Sequence, residues 1–121
     1  MNTRKLDMHI QKVGAQADIA VVQIHGPLDT VAAYAFQEKM DDLIRSGIYK
    51  FIINLEQLEY ISSAGIGVFP GMFQTLQEHQ GGLVFLHVSP KVYKLFEMIG
   101  LTSIFQMKET LDEAIQEFEP Q

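Results

Sequence analysis

Residues 51–69 read FIINLEQLEYISSAGIGVF, a short apolar run that a loop joins to the start of a helix. Phe51 to Leu55 has the apolar character of a short, buried strand. Residues 56–62 (EQLEYIS) predict a loop, and apolar residues at helical spacing from Ile66 onward predict a helix that ends at Gly81-Gly82. A strand, a loop and a helix in this order form the repeating unit of an α/β protein.

Upstream of this unit, the chain predicts a β-hairpin followed by a helix. Met8 to Val13 and Ile19 to Ile24 are strand-like runs, and residues 14–18 (GAQAD) between them suit a hairpin loop. After Gly26-Pro27 the apolar residues recur every three or four positions, from Val31 to Ile44. This spacing predicts a helix that buries those residues on one face.

Downstream, the same alternation continues to the end of the chain. Leu83 to Val88 predicts a strand, and Ser89-Pro90 is a capping serine followed by a proline at the first helical position. Gly100 suits the end of that helix, and Ser103 to Met107 predicts a last strand. Residues 110–113 (TLDE) fit a capping box, which predicts a final helix.

The resulting order is β-β-α-β-α-β-α-β-α. Strands that alternate with helices pair in parallel through right-handed crossovers. We therefore expect an α/β fold with a central, mostly parallel sheet, an N-terminal β-hairpin and about four covering helices. A length of 121 residues and a hydrophobic content of 47% fit one domain with a real core.

Composition excludes several classes of function. The chain has no cysteine, which rules out disulfides and thiolate metal sites. Its net charge of −6 argues against nucleic-acid binding, which needs a basic surface. No segment has the roughly 20 apolar residues of a membrane-spanning helix, and the polar N-terminus with Asp7 lacks a signal peptide's apolar stretch. We expect a cytoplasmic protein that inserts into no membrane and binds no nucleic acid.

Two adjacent serines, Ser62 and Ser63, lie where the second helix is predicted to start. Hydroxyls at a helix N-terminus lie beside unpaired backbone N–H groups, and the helix dipole favours an anion there. A phosphorylated serine is therefore one hypothesis, although the spacing alone favours a helix cap. Asp29, or Thr30 beside it, can likewise cap the first helix, and Asp29 would share a rim with Ser63 if both lie at one edge of the sheet.

Other chemistries lack their motifs. Gly65, Gly67 and Gly71 have neither dinucleotide-loop spacing nor a Walker lysine. The nucleophile elbow of serine hydrolases is absent, and the four histidines are too dispersed for a metal site. Asn54 ends the central strand where a response regulator would have aspartate. We expect no cofactor, no metal and no catalytic residue; labelling of Ser63 by a fluorophosphonate would revive an enzyme hypothesis.

The segments GPLD (26–29), FIINLEQLEYISSAGIGVF (51–69) and GGLVFLHVSPKVYKLFEMIGL (81–101) resemble a STAS domain. More narrowly, they are similar to the bacterial anti-sigma factor antagonists. The resemblance extends from about Met8 to Phe118, which implies a single STAS domain over residues 1–121 with a core of about 8–118. It also implies a phosphorylation-switched binding protein and no enzymatic activity.

In this family a serine at the start of the second helix is phosphorylated by the anti-sigma factor, which is itself a serine kinase. The unphosphorylated antagonist binds that kinase and frees the sigma factor. A PP2C-type phosphatase restores the unphosphorylated antagonist. The resemblance places Ser63 at the phospho-acceptor, with Ser62 as second choice. It assigns partner binding to these residues and their neighbours: Asp29, Ser62, Ser63, Ala64, Gly65, Ile66 and Gly67.

Three residues depart from the family pattern. Ser62 stands where aspartate usually precedes the acceptor, and Ala64 stands where serine often follows it. Pro70 falls inside the predicted second helix, which would then start late or be bent. The missing aspartate and Pro70 support an alternative, a non-switching STAS module that acts as a scaffold or a transport-system subunit.

Overall fold

The computed structural model describes residues 5–119, which form six strands and four α-helices. The strands are β1 Asp7–Val13, β2 Ile19–Leu28, β3 Lys50–Asn54, β4 Leu58–Ile61, β5 Gly82–Leu86 and β6 Gln106–Lys108. The helices are α1 Thr30–Arg45, α2 Ser63–Glu78, α3 Pro90–Met98 and α4 Leu111–Phe118, and a single 3-10 turn spans Leu101–Ser103.

The strands form one sheet in the order β1-β2-β3-β5-β6, with β4 paired to β2 outside this path. β1 is antiparallel to β2, and each of the other pairs in the described chain is parallel. The predicted fold class is therefore confirmed: a mostly parallel sheet, an N-terminal β-hairpin and four covering helices. The predicted starts of α3 at the Ser89 cap and of α4 at the Thr110 capping box are also confirmed.

The predicted loop over residues 56–62 is wrong, because Leu58–Ile61 form β4. β2 is also longer than predicted: it continues through Gly26-Pro27 to Leu28, with a shift of register at that step. Its first half pairs with β3, and its last three residues pair with β4. A four-residue strand whose partner lies about thirty residues away in sequence has too weak a local pattern to be recognised.

Two other boundaries differ from the prediction. β5 ends at Leu86, where His87 takes a left-handed backbone conformation with φ +57° and turns the chain. The predicted strand over 103–107 is instead a 3-10 turn followed by β6, which begins at Gln106. Phe105 between them is buried, so its apolar character reflects core packing and not strand pairing.

The sheet is covered on both faces, but unequally. Alternate residues of β2 point to opposite faces: Ala20, Val22 and Ile24 pack with α1, α2 and α3, while Ile19 and Val21 pack with α4. On the larger face Phe69 of α2 makes edge-to-face contacts with Phe36 of α1 and Phe85 of β5. Replacing a buried Phe by Ala costs about 3–5 kcal/mol. This aromatic cluster therefore holds α2 firmly beside α1.

Candidate functional site

The edge where β2 and β4 end carries the candidate site. The two strands are parallel, and Leu28 lies opposite Ile61 at their carboxyl ends. The Ser62 N–H donates a hydrogen bond of 2.9 Å to the Leu28 carbonyl, which continues the pairing one residue further. Asp29 and Ser62, which directly follow the paired residues, are thereby held side by side at one rim. Asp29 and the two serines therefore lie at one edge of the sheet, as their sequence positions suggested.

Each of these two residues caps a helix. The Asp29 carboxylate accepts a 2.8 Å hydrogen bond from the Ala32 N–H at the start of α1. The Ser62 hydroxyl accepts a 3.1 Å hydrogen bond from the Gly65 N–H at the start of α2. Both caps have the extended backbone that such residues adopt. The positive ends of two helix dipoles therefore open at the same edge of the sheet.

Ser62 and Ser63 are adjacent but have different environments. Ser62 is 8% exposed, and its hydroxyl is occupied by the cap. Ser63 is the first residue of α2 and is exposed. Within residues 5–119 the structure gives the Ser63 hydroxyl no hydrogen-bond partner. The expectation that one serine acts as a cap is confirmed, and Ser62 is that serine.

The glycines after Ser63 have different roles. Gly65 is buried, and a Cβ atom there would lie 2.8 Å from the Leu28 carbonyl oxygen and 2.9 Å from Leu28 Cγ. Such contacts are too short for any side chain, so α2 can approach β2 this closely only at a glycine. Gly67 is exposed, and a Cβ there would meet nothing within 4 Å. Gly65 is thus required by packing, whereas Gly67 leaves an open surface.

The remaining predicted partner-binding residues lie on the same first turn of α2. Ala64 is exposed and Ile66 is half-buried against the core. Pro70 does not delay the helix, because α2 runs from Ser63 to Glu78 with Pro70 inside it. Pro70 has no N–H to donate to the Ile66 carbonyl, so one helical hydrogen bond is missing at this point.

Three apolar side chains near this rim are exposed, which their sequence pattern did not predict. Val31 is 79% exposed and Tyr34 75% exposed, both in the first two turns of α1, and Tyr60 on β4 is 58% exposed. The prediction that Val31 and Ala35 belong to the buried face of α1 is wrong, because both residues are exposed. The buried residues of α1 are Ala33, Phe36 and Met40, spaced by three and four, and this stripe leaves Val31 on the outside.

His79 lies at the other end of α2 from the two serines. His79 stacks on Tyr49 with ring centroids 4.2 Å apart at the end of α2. Over residues 5–119, no three histidine, aspartate or glutamate side chains are grouped closely enough to bind a metal ion. In the same range, no helix has the length and apolar character needed to cross a membrane.

This fold belongs to a known class of domain: the chain is a member of the STAS domain family, which it matches over residues 11–114. It is 33% identical over 86 residues to an anti-sigma-B factor antagonist of Listeria monocytogenes, covering 70% of this chain and 75% of that protein. It is 30% identical over 88 residues to an anti-sigma-B factor antagonist of Staphylococcus aureus, covering 73% and 82%.

One solved relative is known in two chemical states. The anti-sigma factor antagonist SpoIIAA in its unphosphorylated form superposes with a TM-score of 0.76 at 25% identity, over 95% of this chain and 100% of SpoIIAA. The phosphorylated form of this Bacillus protein superposes with a TM-score of 0.72 at 26% identity, over 93% of this chain and 99% of SpoIIAA.

Proposed function

We propose that this protein is an anti-sigma factor antagonist whose binding to an anti-sigma factor is switched by phosphorylation of Ser63. The observation that carries the proposal is the exposed Ser63 hydroxyl at the first residue of α2. The relatives named above are antagonists of anti-sigma factors, and one of them exists in a phosphorylated form. In this proposal residues 1–121 act as a single STAS domain.

A phosphate on Ser63 would be tolerated by the free protein. It adds about −1.5 to −2 charges at neutral pH. The first turn of α2 contains no acidic residue, and its free N–H groups point toward the rim. Anions bind well at such helix N-termini. Phosphorylation should therefore leave the fold intact.

The same phosphate would oppose binding. The edge of the sheet that carries Asp29, Ser62 and Ser63 is called the Ser63 rim. In a complex the partner would cover this rim and remove it from water. A buried charge without a compensating partner costs several kcal/mol. We therefore expect the unphosphorylated form to bind the anti-sigma factor and the phosphorylated form to release it.

The environment of the two serines favours Ser63 as the acceptor. A kinase needs a hydroxyl that can enter its active site, and Ser63 is exposed. Phosphorylation of Ser62 would require its buried hydroxyl to leave the Gly65 N–H. Losing that cap would cost about 0.5–2 kcal/mol. In this proposal the kinase is the anti-sigma factor itself, and a PP2C-type phosphatase reverses the reaction.

The test uses the anti-sigma factors encoded in the same genome, each purified and titrated by calorimetry with the antagonist. The wild type should bind one of them, and Ser63→Asp should weaken that binding by at least about 100-fold. Ser103→Asp is the matched control, because Ser103 is an exposed serine in the 3-10 turn. Mass spectrometry after incubation with ATP should locate the phosphate on Ser63.

A second candidate function is a static STAS module that serves as a scaffold or a transport-system subunit. Ser62 in place of the usual aspartate and Pro70 within α2 favour it. In that case wild type and Ser63→Asp would bind the same partner equally, and no phosphate would appear on Ser63. Equal binding by both forms would therefore exclude the switch.

A further inference from the structure

A cavity of about 420 Å³ lies beside the Ser63 rim, on the outer side of α1. Its lining comes from three segments: residues 5 and 6 before β1, Pro27 at the end of β2, and the first two turns of α1. An enclosed cavity of about 150 Å³ already holds a benzene molecule. This hollow is therefore large enough for an aromatic or branched aliphatic side chain.

The chain before β1 forms one side of this cavity, and small residues of α1 form another. Gly26 has φ +104°, and a Cβ atom there would lie 3.0 Å from the Lys5 carbonyl oxygen. The chain before β1 can therefore lie directly over β2 at this point. On the opposite side, Ala32 and Ala35 leave space that larger helix residues would fill.

The cavity is continuous with the candidate site. Asp29 lines it and also caps α1 beside Ser62. Val31 lines it too and is 79% exposed, and Tyr34 on the same two turns is 75% exposed. A contiguous exposed apolar patch with polar residues at its rim marks an interaction site. Tyrosine is one of the residues enriched among the strongest contacts of protein interfaces.

We infer that this cavity is an anchor pocket for the anti-sigma factor: it accepts an apolar side chain of the same partner that covers Ser63. The inference rests on the proposed function, because the occupant of the pocket is the anti-sigma factor. The shared residue Asp29 joins the pocket to the Ser63 rim. The pocket supplies affinity that phosphorylation does not alter, and the Ser63 rim supplies the switch. Partner choice would then depend on α1 as well as on α2.

The first experiment fills the pocket. Ala35→Phe places a ring at an exposed position of α1 that lines the cavity. We expect it to weaken binding to the anti-sigma factor about tenfold or more. Gln116→Phe is the matched control, because Gln116 is exposed on α4, which packs on the other face of the sheet. Thermal unfolding of both variants checks that they fold.

The second experiment locates the partner. The natural chain has no cysteine, so Ala35→Cys would carry a single thiol. Saturating anti-sigma factor should slow its alkylation by N-ethylmaleimide at least about fivefold and leave Gln116→Cys unaffected. Slowing by a high concentration of the antagonist alone would assign the pocket to a second copy of this chain and overturn the inference.

The two failures are distinguishable. If wild type binds, Ser63→Asp does not, and Ala35→Phe binds like wild type, the proposed function stands and the anchor pocket is wrong. Unprotected Ala35→Cys in that complex would lead to the same conclusion, even if Ala35→Phe does not fold. If wild type binds none of the anti-sigma factors, the proposed function and the anchor pocket both fail.

Discussion

The starts of α1 and α2 lie side by side at one edge of the sheet, yet they carry charge differently. α1 is capped by the side chain of Asp29, an acidic residue. α2 is capped by the neutral hydroxyl of Ser62, and its first turn has no acidic residue. The dipole of α1 therefore has a counter-charge, and that of α2 has none.

This difference shows how a small fold can place a modification where it has little structural cost. Ser62 performs the capping, so the next hydroxyl, that of Ser63, stays exposed. In the proposed switch, the phosphate gives α2 the negative charge that α1 already has. The modification would then act on the partner and hardly on the fold.

The largest expected effect comes from separating α2 from β2. Gly65→Ala would bring a methyl group to 2.8 Å from the Leu28 carbonyl oxygen. Such overpacking costs about 1–3 kcal/mol, and the better helix propensity of alanine offsets up to about 1 kcal/mol. We expect Gly65→Ala to lower the free energy of unfolding by roughly 1–2 kcal/mol in urea denaturation.

Gly67→Ala is the matched control, because it meets nothing within 4 Å on the same helix. It should raise the free energy of unfolding by about 0.5–1 kcal/mol through helix propensity alone. Equal changes in the two variants would show that α2 does not rest on Leu28. The requirement for a glycine at the start of α2 would then lose its physical basis.

The alternation of strands and helices was predictable from the sequence because each long element has its own periodicity. The caps at Ser89 and Thr110 were also predictable, because a cap is a short local signal. β4 was not, because its pairing with β2 is set by the register shift between Gly26 and Pro27, a tertiary feature. Local patterns identify elements better than they identify distant partners.

The candidate site was predictable only in part. That a serine would cap α2 follows from its position, but which serine is set by the hydrogen bond from Ser62 to the Leu28 carbonyl. The exposure of Val31 could have been found by excluding it from the stripe of Ala33, Phe36 and Met40. The cavity beside it depends on Gly26 and on the chain before β1, which no periodicity reveals.

An intermediate effect should distinguish the two serines. Ser62→Ala removes the cap and leaves the buried Gly65 N–H without its acceptor, at a typical cost of about 1 kcal/mol. Ser63→Ala removes an exposed hydroxyl and should change stability by less than about 0.5 kcal/mol. Thermal unfolding measures both. A larger loss for Ser63→Ala than for Ser62→Ala would contradict the assignment of the cap to Ser62.

The smallest effect concerns charge at the two helix starts. Phosphorylated Ser63 should interact with the dipole of α2 and raise the free energy of unfolding by about 0.3–1 kcal/mol at low ionic strength. The Asp29 carboxylate at the same rim repels the phosphate, so the gain should increase in Asp29→Asn, which keeps an amide cap without the charge. Raising the salt concentration should reduce both gains, since exposed charges are screened.

Urea denaturation of the four forms, with and without phosphate and with Asp or Asn at position 29, gives the coupling between the two charges as a double-mutant cycle. A coupling of zero at low salt would mean that the two helix starts do not share an electrostatic environment, and Asp29 would then have no part in the switch beyond capping α1.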